Sequence, residues 1–283
     1  MTQAAIRSIG IVVKPNHDEA LKTAGELSEW LAERGIETIG EPFPSDKVGE
    51  EHPYVADADL VVVLGGDGTM LSTARLIGDS DALVLGVNYG ALGYLTDFRI
   101  EELYSALETI LQGNYEPDRR VQLDVEHRRE NETMGSGRVL NDVVINKAAI
   151  ARIIEIEVKL NSLFVNSFRA DGLIVATPTV STAYNLSAGG PIVYPTMNAV
   201  VLTPIFPFTL TNRPIVVPDR AEIELTLLGE HEGVVLTLDG QTAFPMNGGD
   251  LVTIRKSATT FNLVQPPNRN YFDVLRNKLK WGR

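Results

Sequence analysis

The sequence predicts an open α/β domain followed by an all-β domain, a sandwich, with the junction near residue 117. Three observations carry this. Strand-like and helix-like segments alternate over the first 115 or so residues. The run Leu60–Leu64 (LVVVL) is apolar throughout and ends in Gly65–Gly66, the pattern of a strand buried on both faces of a parallel sheet. From about Arg119 the apolar period drops to two.

The α/β elements follow in order. Ile6–Val13 is a β-branched apolar run and reads as the first strand. Ala20, Ala24, Leu27 and Leu31 recur at helical spacing, and Gly35 follows where a helix would end. Ile36–Ile39 reads as a short strand, Met70–Ile77 as a helix, Leu83–Val87 as a strand and Glu101–Leu111 as a helix. Open sheets of this kind bind ligands at the carboxyl ends of their strands. In the second part, Val121, Leu123 and Val125 alternate with polar residues, as do Ile154, Ile156, Val158 and Leu160. Glu222–Leu227, Val234–Leu238 and Leu251–Ile254 continue the pattern between Gly, Pro and Asn turns. That places the β-domain at 118–269. Helical spacing returns through Phe272, Leu275 and Leu279, and a helix over 270–283 is expected to pack back on the α/β domain of residues 1–117.

Composition narrows the function. With no cysteine, the chain has no disulfide, no thiolate metal site and no cysteine nucleophile, which fits a reducing compartment. No apolar run approaches the roughly 18 residues that span a bilayer, and the N-terminus lacks the charge pattern of a secretion signal. The expectation is a cytoplasmic protein without a membrane partner. A net charge of −12 opposes non-specific nucleic-acid binding. His17, His52, His127 and His231 show no zinc spacing, so no structural metal is expected.

The sharpest chemical feature is Gly65–Gly66–Asp67–Gly68–Thr69, between a strand and a helix. Glycines there let the backbone approach a ligand, and exposed N–H groups of Gly65, Gly66, Gly68 and Thr69 suit phosphate oxygens. An aspartate would repel phosphate, so Asp67 among these glycines suggests another job. It can hold magnesium, or deprotonate a hydroxyl that attacks a phosphoryl group. The alternative is a plain turn with Asp67 as a helix N-cap. A Walker A loop would need a lysine after the glycines, and the dinucleotide-fold fingerprint a third glycine where Leu71 stands. Asn141–Asp142 before an apolar strand suits ribose hydroxyls, and equally a turn. Arg169 and Asp171 flank Ala170; the alternative to a ligand role is a surface ion pair. Thr177–Gly190 is long, hydroxyl-rich and uncharged, with Tyr184 offering a ring to a base; the alternative is a polar loop between strands. Asp239–Gly240 is a hairpin signal. Arg152 is a candidate for a pyrophosphate contact; the alternative is an ordinary solvated arginine.

In this order, GGDG, Asn141–Asp142, Phe168–Leu173 (FRADGL), Thr177–Pro191, Thr203–Pro204–Ile205 and Leu238–Gln241 (LDGQ) resemble the NAD kinase family over nearly the whole chain. GGDG alone is less specific, since 6-phosphofructokinases and lipid kinases carry similar turns. The resemblance implies a Rossmann-like N-terminal domain, a C-terminal β-sandwich and an NAD cleft between them. It implies phosphoryl transfer from ATP, or polyphosphate, to the 2′-hydroxyl of NAD's adenosine ribose, giving NADP. Magnesium would arrive with the donor, and the assembly would be a homodimer or homotetramer. It makes Asp67 the proton acceptor and puts Gly68, Asn141, Asp142, Arg169 and Asp171 at the NAD. By the same resemblance Thr182, Ala183, Tyr184, Asn185, Leu186 and Ser187 would form the contact loop, Gln241 would reach the nucleotide and Phe206 would wall the pocket. Phe208 stands where the family often has histidine, which weakens any polar role there. The competing readings are a kinase of the same superfamily acting on a sugar phosphate or lipid, and a non-catalytic dinucleotide sensor. No exposed apolar or basic membrane face favours the lipid, and Asp67 beside phosphates gains a sensor little.

Overall fold

The computed structural model describes residues 5–46, 53–90, 93–130, 132–147, 152–266 and 271–281. His52 and residues 270, 282 and 283 of the expected C-terminal helix lie outside them. The chain divides into two compact units, Met1–Arg119 with Phe261–Arg283, and Arg120–Thr260.

The first unit opens with β1 (Ser8–Val13), α1 (Asp18–Ala32), β2 (Glu37–Thr38) and β3 (Phe43–Pro44). It continues with β4 (Leu60–Leu64), α2 (Asp67–Ile77), β5 (Leu83–Asn88), β6 (Phe98–Arg99) and α3 (Leu103–Leu111). The strands pair in parallel in the order β2-β1-β4-β5, with β3 joined to β1 and β6 to β5. Every residue of β4 is fully buried. Leu60, Val62 and Leu64 pack with Ile9, Ile11 and Val13 against Leu27 and Leu31 of α1 and Leu103 and Leu107 of α3. Val61 and Val63 take the other face, because alternate strand residues point opposite ways. This two-sided burial is why LVVVL has no polar alternation. Gly35 takes φ 70° two residues beyond Glu33, the C-cap of α1. From β1 the order runs outward to β2, and from β4 the opposite way to β5. The carboxyl ends of β1 and β4 therefore form the switch point at which open α/β sheets bind ligands.

The second unit comprises β7 (Pro117–Arg129), β8 (Glu132–Val139), β9 (Asp142–Lys147), β10 (Ile154–Leu160), β11 (Leu163–Ala170) and β12 (Gly172–Ala176). After α4 (Tyr184–Ser187) come β13 (Ala199–Ile205), β14 (Ile215–Pro218), β15 (Ile223–Leu228), β16 (Val234–Leu238), β17 (Thr242–Met246) and β18 (Leu251–Val264), whose residues after Thr260 lie in the first unit. One antiparallel sheet has the order β14-β13-β12-β9-β16-β17. The other contains β11-β10-β15-β18, and β7 and β8 form a hairpin. Ile156, Val158, Phe168, Leu225 and Val252 from one sheet meet Ile145, Leu173, Val175, Leu202 and Leu236 from the other in a common core, which makes the unit a sandwich. β12 and β13 are buried along their whole length, because Val180 and Val193 cover the outer face of Val144, Ile174 and Val201. Thr177–Gly190 is therefore more than a loop between strands. It holds a 3₁₀ turn, Pro178–Val180, and α4.

One boundary differs from the sequence reading. The last strand does not stop at Ile254, and the residues after Thr260 do not belong to the β-domain. Asn262 and Leu263 of β18 pair in parallel with Leu83 and Val84 of β5, and Asn262 Nδ2 donates to the Asp81 carbonyl at 3.1 Å. Phe261–Val264 is entirely buried. The helix α5 (Tyr271–Leu279) also belongs to the first unit, with Leu275 buried and Lys278 Nζ 5.5 Å from the Tyr94 ring centroid. No helix among the described residues is long and apolar enough to cross a membrane.

A buried polar cluster braces the sandwich. Asp250 is fully buried and accepts from Arg129 Nε at 2.8 Å, Arg129 Nη2 at 2.9 Å and the Asn247 N–H at 2.9 Å. His127 Nε2 lies 2.8 Å from its Oδ2. Burial pushes the Asp250 carboxyl up, but the hydrogen bonds from Arg129, Asn247 and His127 outweigh it and hold the group below its ordinary value.

Candidate active site

Gly65 and Gly66 turn the chain from β4 into α2, whose first residue is Asp67. A Cβ on Gly65 would lie 2.3 Å from Thr69 Oγ1, so only glycine lets the first turn of α2 close this tightly. Gly66 occupies the N-cap position and no side chain caps the helix there. Asp67 is thus not an N-cap. Its carboxylate turns instead to the segment after β5: Oδ2 accepts the Tyr94 N–H at 2.9 Å. Oδ1 accepts the N–H groups of Leu95 at 3.1 Å and Thr96 at 3.2 Å, and the Thr96 hydroxyl at 3.1 Å. Gly93 permits the approach, since a Cβ there would sit 1.9 Å from Asp67 Oδ1. Beside the carboxylate, Gly68 is exposed and Thr69 is buried.

The second unit carries a cavity of about 340 Å³ lined by Asn141, Asp142, Ala183, Tyr184, Asp239 and Gly240, among others. Asp239 organises it. Its carboxylate accepts the N–H groups of Leu140 at 3.0 Å, Asn141 at 2.7 Å and Asp142 at 3.1 Å. Its own N–H donates to the Asp142 carbonyl at 2.9 Å. Asp239 and Gly240 take φ values of 50° and 65° and join β16 to β17, the geometry of a type I′ hairpin. Asp142 is only 6% exposed, and its carboxyl is pushed up to about 7, first by burial and then by the charge of Asp239. Tyr184 is half-exposed; burial and the Asp142 charge hold its phenol above its ordinary value.

The remaining sequence candidates divide. Thr182 is buried, while Ser187 is exposed and donates its hydroxyl to the Ala183 carbonyl at 3.3 Å; Leu186 is half-buried. Asn185 does not face the cavity. It is fully buried, its Nδ2 donates to the Ser181 and Pro191 carbonyls at 2.9 and 3.0 Å, and its Oδ1 accepts from the Thr203 hydroxyl at 2.6 Å. Its amide holds the Thr177–Gly190 segment in shape. Arg169 and Asp171 do not pair, because β11 ends at Ala170 between them. Asp171 pairs with Lys147 at 3.4 Å, and the Arg169 guanidinium lies 5.3 Å from the Phe208 ring centroid. Phe206 is 81% exposed at φ 44°, directly after β13. Arg152 and Gln241 are exposed, outside the cavity lining.

Two family models match these regions: the ATP-NAD kinase N-terminal domain over residues 51–115, and the ATP-NAD kinase C-terminal domain over residues 140–266. The first match holds Asp67 with its four donors, and the second holds the Asp142 cavity. The chain belongs to the NAD kinase family. The NAD kinase of Geotalea daltonii is 46% identical over 282 residues, covering 98% of this chain and 99% of that one. The NAD kinase of Geobacter sulfurreducens is 45% identical over the same length and coverage. Among solved structures, an NAD kinase from Archaeoglobus fulgidus in complex with ATP has a TM-score of 0.74 and 27% identity, covering 96% of this chain and 98% of that one. The yeast NADH kinase complexed with NADH shares the fold, with a TM-score of 0.87 at 22% identity, covering 99% of this chain and 89% of that one.

Within this NAD kinase fold, sequence reasoning missed Gly93, Thr96 and the inward role of Asp239. Gly93 had a signal: glycines at 90 and 93 soon after a buried strand mark a backbone that must pass something closely. Asp239 had none beyond its turn, because its partners lie 97–99 residues away.

Proposed function

We propose that this chain transfers the γ-phosphoryl group of ATP to the 2′-hydroxyl of NAD's adenosine ribose, giving NADP and ADP. The observation that carries the reading is Asp67: a carboxylate on a glycine turn at the sheet's switch point, held by four hydrogen bonds. A ribose hydroxyl is a weak nucleophile at neutral pH. As its oxygen bonds to phosphorus and the bond to ADP breaks, its proton passes to Asp67, which a rigid mount aligns beforehand. Asn141 and Asp142 offer an amide and a carboxylate to ribose hydroxyls, and Tyr184 offers a ring face to a base. Among the described residues no three His, Asp or Glu side chains cluster as a metal site. A magnesium ion, which the family resemblance implies, would arrive on the donor's phosphates and offset their charge. We place the protein in the cytoplasm, as a homodimer or homotetramer, on composition and family resemblance. The test supplies NAD, magnesium and either ATP or polyphosphate, and reads NADP with an NADP-specific dehydrogenase. NADP that accumulates with time and enzyme supports the reading; none with either donor overturns it.

Two binding results follow. Below pH 7 the Asp142 carboxyl is protonated, and above it the group becomes an acceptor for ribose hydroxyls. Affinity for NAD should therefore rise about tenfold from pH 6 to pH 8 in calorimetry. In Asp142→Asn the dependence should flatten. Wild-type affinity that falls over that range would mean that NAD prefers the neutral acid. Tyr184→Ala should weaken NAD binding by about 1 kcal/mol more than Tyr184→Phe, if the ring supplies the contact. Equal losses would assign the contact to the hydroxyl.

A further inference from the structure

We infer that Thr96 and Asn88 are positioning residues that commit Asp67 Oδ1 to the protein, leaving Oδ2 as the oxygen that receives the substrate proton. The inference rests on the proposed phosphoryl transfer and assigns the oxygen that takes part in it. Thr96 has no exposed surface, and its hydroxyl lies 3.1 Å from Asp67 Oδ1. A hydroxyl has one proton to give, and its direction is open until a neighbour settles it. Asn88 settles it. At the carboxyl end of β5, its Nδ2 donates to Thr96 Oγ1 at 3.0 Å, while its Oδ1 accepts the Gly90 N–H at 3.0 Å. With the amide oxygen held by Gly90, its NH2 group faces the hydroxyl as a donor. The threonine proton therefore points at Asp67.

The two carboxylate oxygens are unequal as a result. Oδ1 takes three donors and has Gly93 against it so closely that a Cβ would lie 1.9 Å away. Oδ2 takes one, the Tyr94 N–H. A carboxylate oxygen has two lone pairs, so Oδ2 keeps one for an incoming hydroxyl and Oδ1 keeps none. A base whose reacting oxygen is specified need not rotate its carboxyl group during the reaction, and such pre-set geometry lowers the barrier.

The experiment compares Thr96→Val, which keeps the shape and loses the hydroxyl, with Thr96→Ser, which keeps the hydroxyl and loses a methyl. Turnover for NADP formation, NAD affinity by calorimetry and the melting temperature are read on each full-length protein. Thr96→Val should lose about tenfold in kcat, with NAD affinity within about twofold. Thr96→Ser should stay within about threefold of wild type in both. Asn88→Asp, whose oxygen would draw the threonine proton away from Asp67, should match the loss of Thr96→Val, and the double variant should lose no more than either alone. A Thr96→Val protein with wild-type kcat overturns the inference. So does the reverse order, Ser impaired and Val normal, which would make Thr96 a packing residue. A wild-type protein that forms no NADP overturns the proposed function, and this inference with it.

Discussion

Asp67→Asn is expected to lower turnover by about 10²–10⁴ while leaving NAD affinity within a few fold. The substitution keeps the side chain's shape and removes its charge and basic oxygen. An amide oxygen at the Oδ1 position can still accept from Leu95 and Thr96, so the brace that holds the loop mostly survives. At the Oδ2 position an NH2 group would face the Tyr94 N–H, donor against donor, and that contact is lost. The cost falls on chemistry more than on binding, since the cavity proposed to take NAD is lined by residues of the other unit. Turnover by NADP formation, affinity by calorimetry and a melting curve on one protein separate the outcomes. Near-normal turnover would reduce Asp67 to a brace for residues 93–96. Outright loss of NAD binding would make it a ribose ligand first and a proton acceptor second.

Asp250→Asn is expected to lower the unfolding free energy by about 1.5–3 kcal/mol, read from the urea midpoint. Asp250 is fully buried and answers Arg129, His127 and the Asn247 N–H together. An asparagine offers one acceptor oxygen to these donors and no charge to the guanidinium, so buried polar groups are left unpaired. The pH dependence carries a sign. Because the carboxyl is held below its ordinary value in the fold, its contribution is present above the unfolded range near pH 4 and is lost as pH falls through the folded value. The gap between wild type and variant should therefore be full at pH 6–7 and shrink below about pH 4. A gap that persists unchanged into acid would place the effect in packing and not in the charge.

The legible parts of the fold are those in which neighbours along the chain report burial. LVVVL is apolar because both faces of β4 are covered, and Ile154–Leu160 alternates because one face of β10 is. What cannot be read this way depends on distant pairings. The end of β18 is claimed by β5, 179 residues earlier, and no local period in Phe261–Val264 says which unit will take it. The site shows the same division. Asp67 stands out as an acid among glycines, and Asn141–Asp142 and Tyr184 line one cavity. Asn185 reads as a ligand residue because it sits in the same loop, but burial turns its amide inward. Asp239 reads as a turn residue, which it is, while its carboxylate also accepts the three N–H groups leading into β9. Arg169 and Asp171 look like partners at strand spacing, yet the strand ends between them and Lys147 takes the acid.

The most direct test of the proposed phosphoryl transfer is the position of the transferred phosphate. Wild-type protein is incubated with NAD, ATP and magnesium, and the dinucleotide product is identified by phosphorus and proton NMR. The expected product carries its new phosphate on the 2′-oxygen of the adenosine ribose, with one ADP formed for each NADP. ATP consumed without a phosphorylated dinucleotide, or a phosphate attached at any other hydroxyl, would contradict the proposed function.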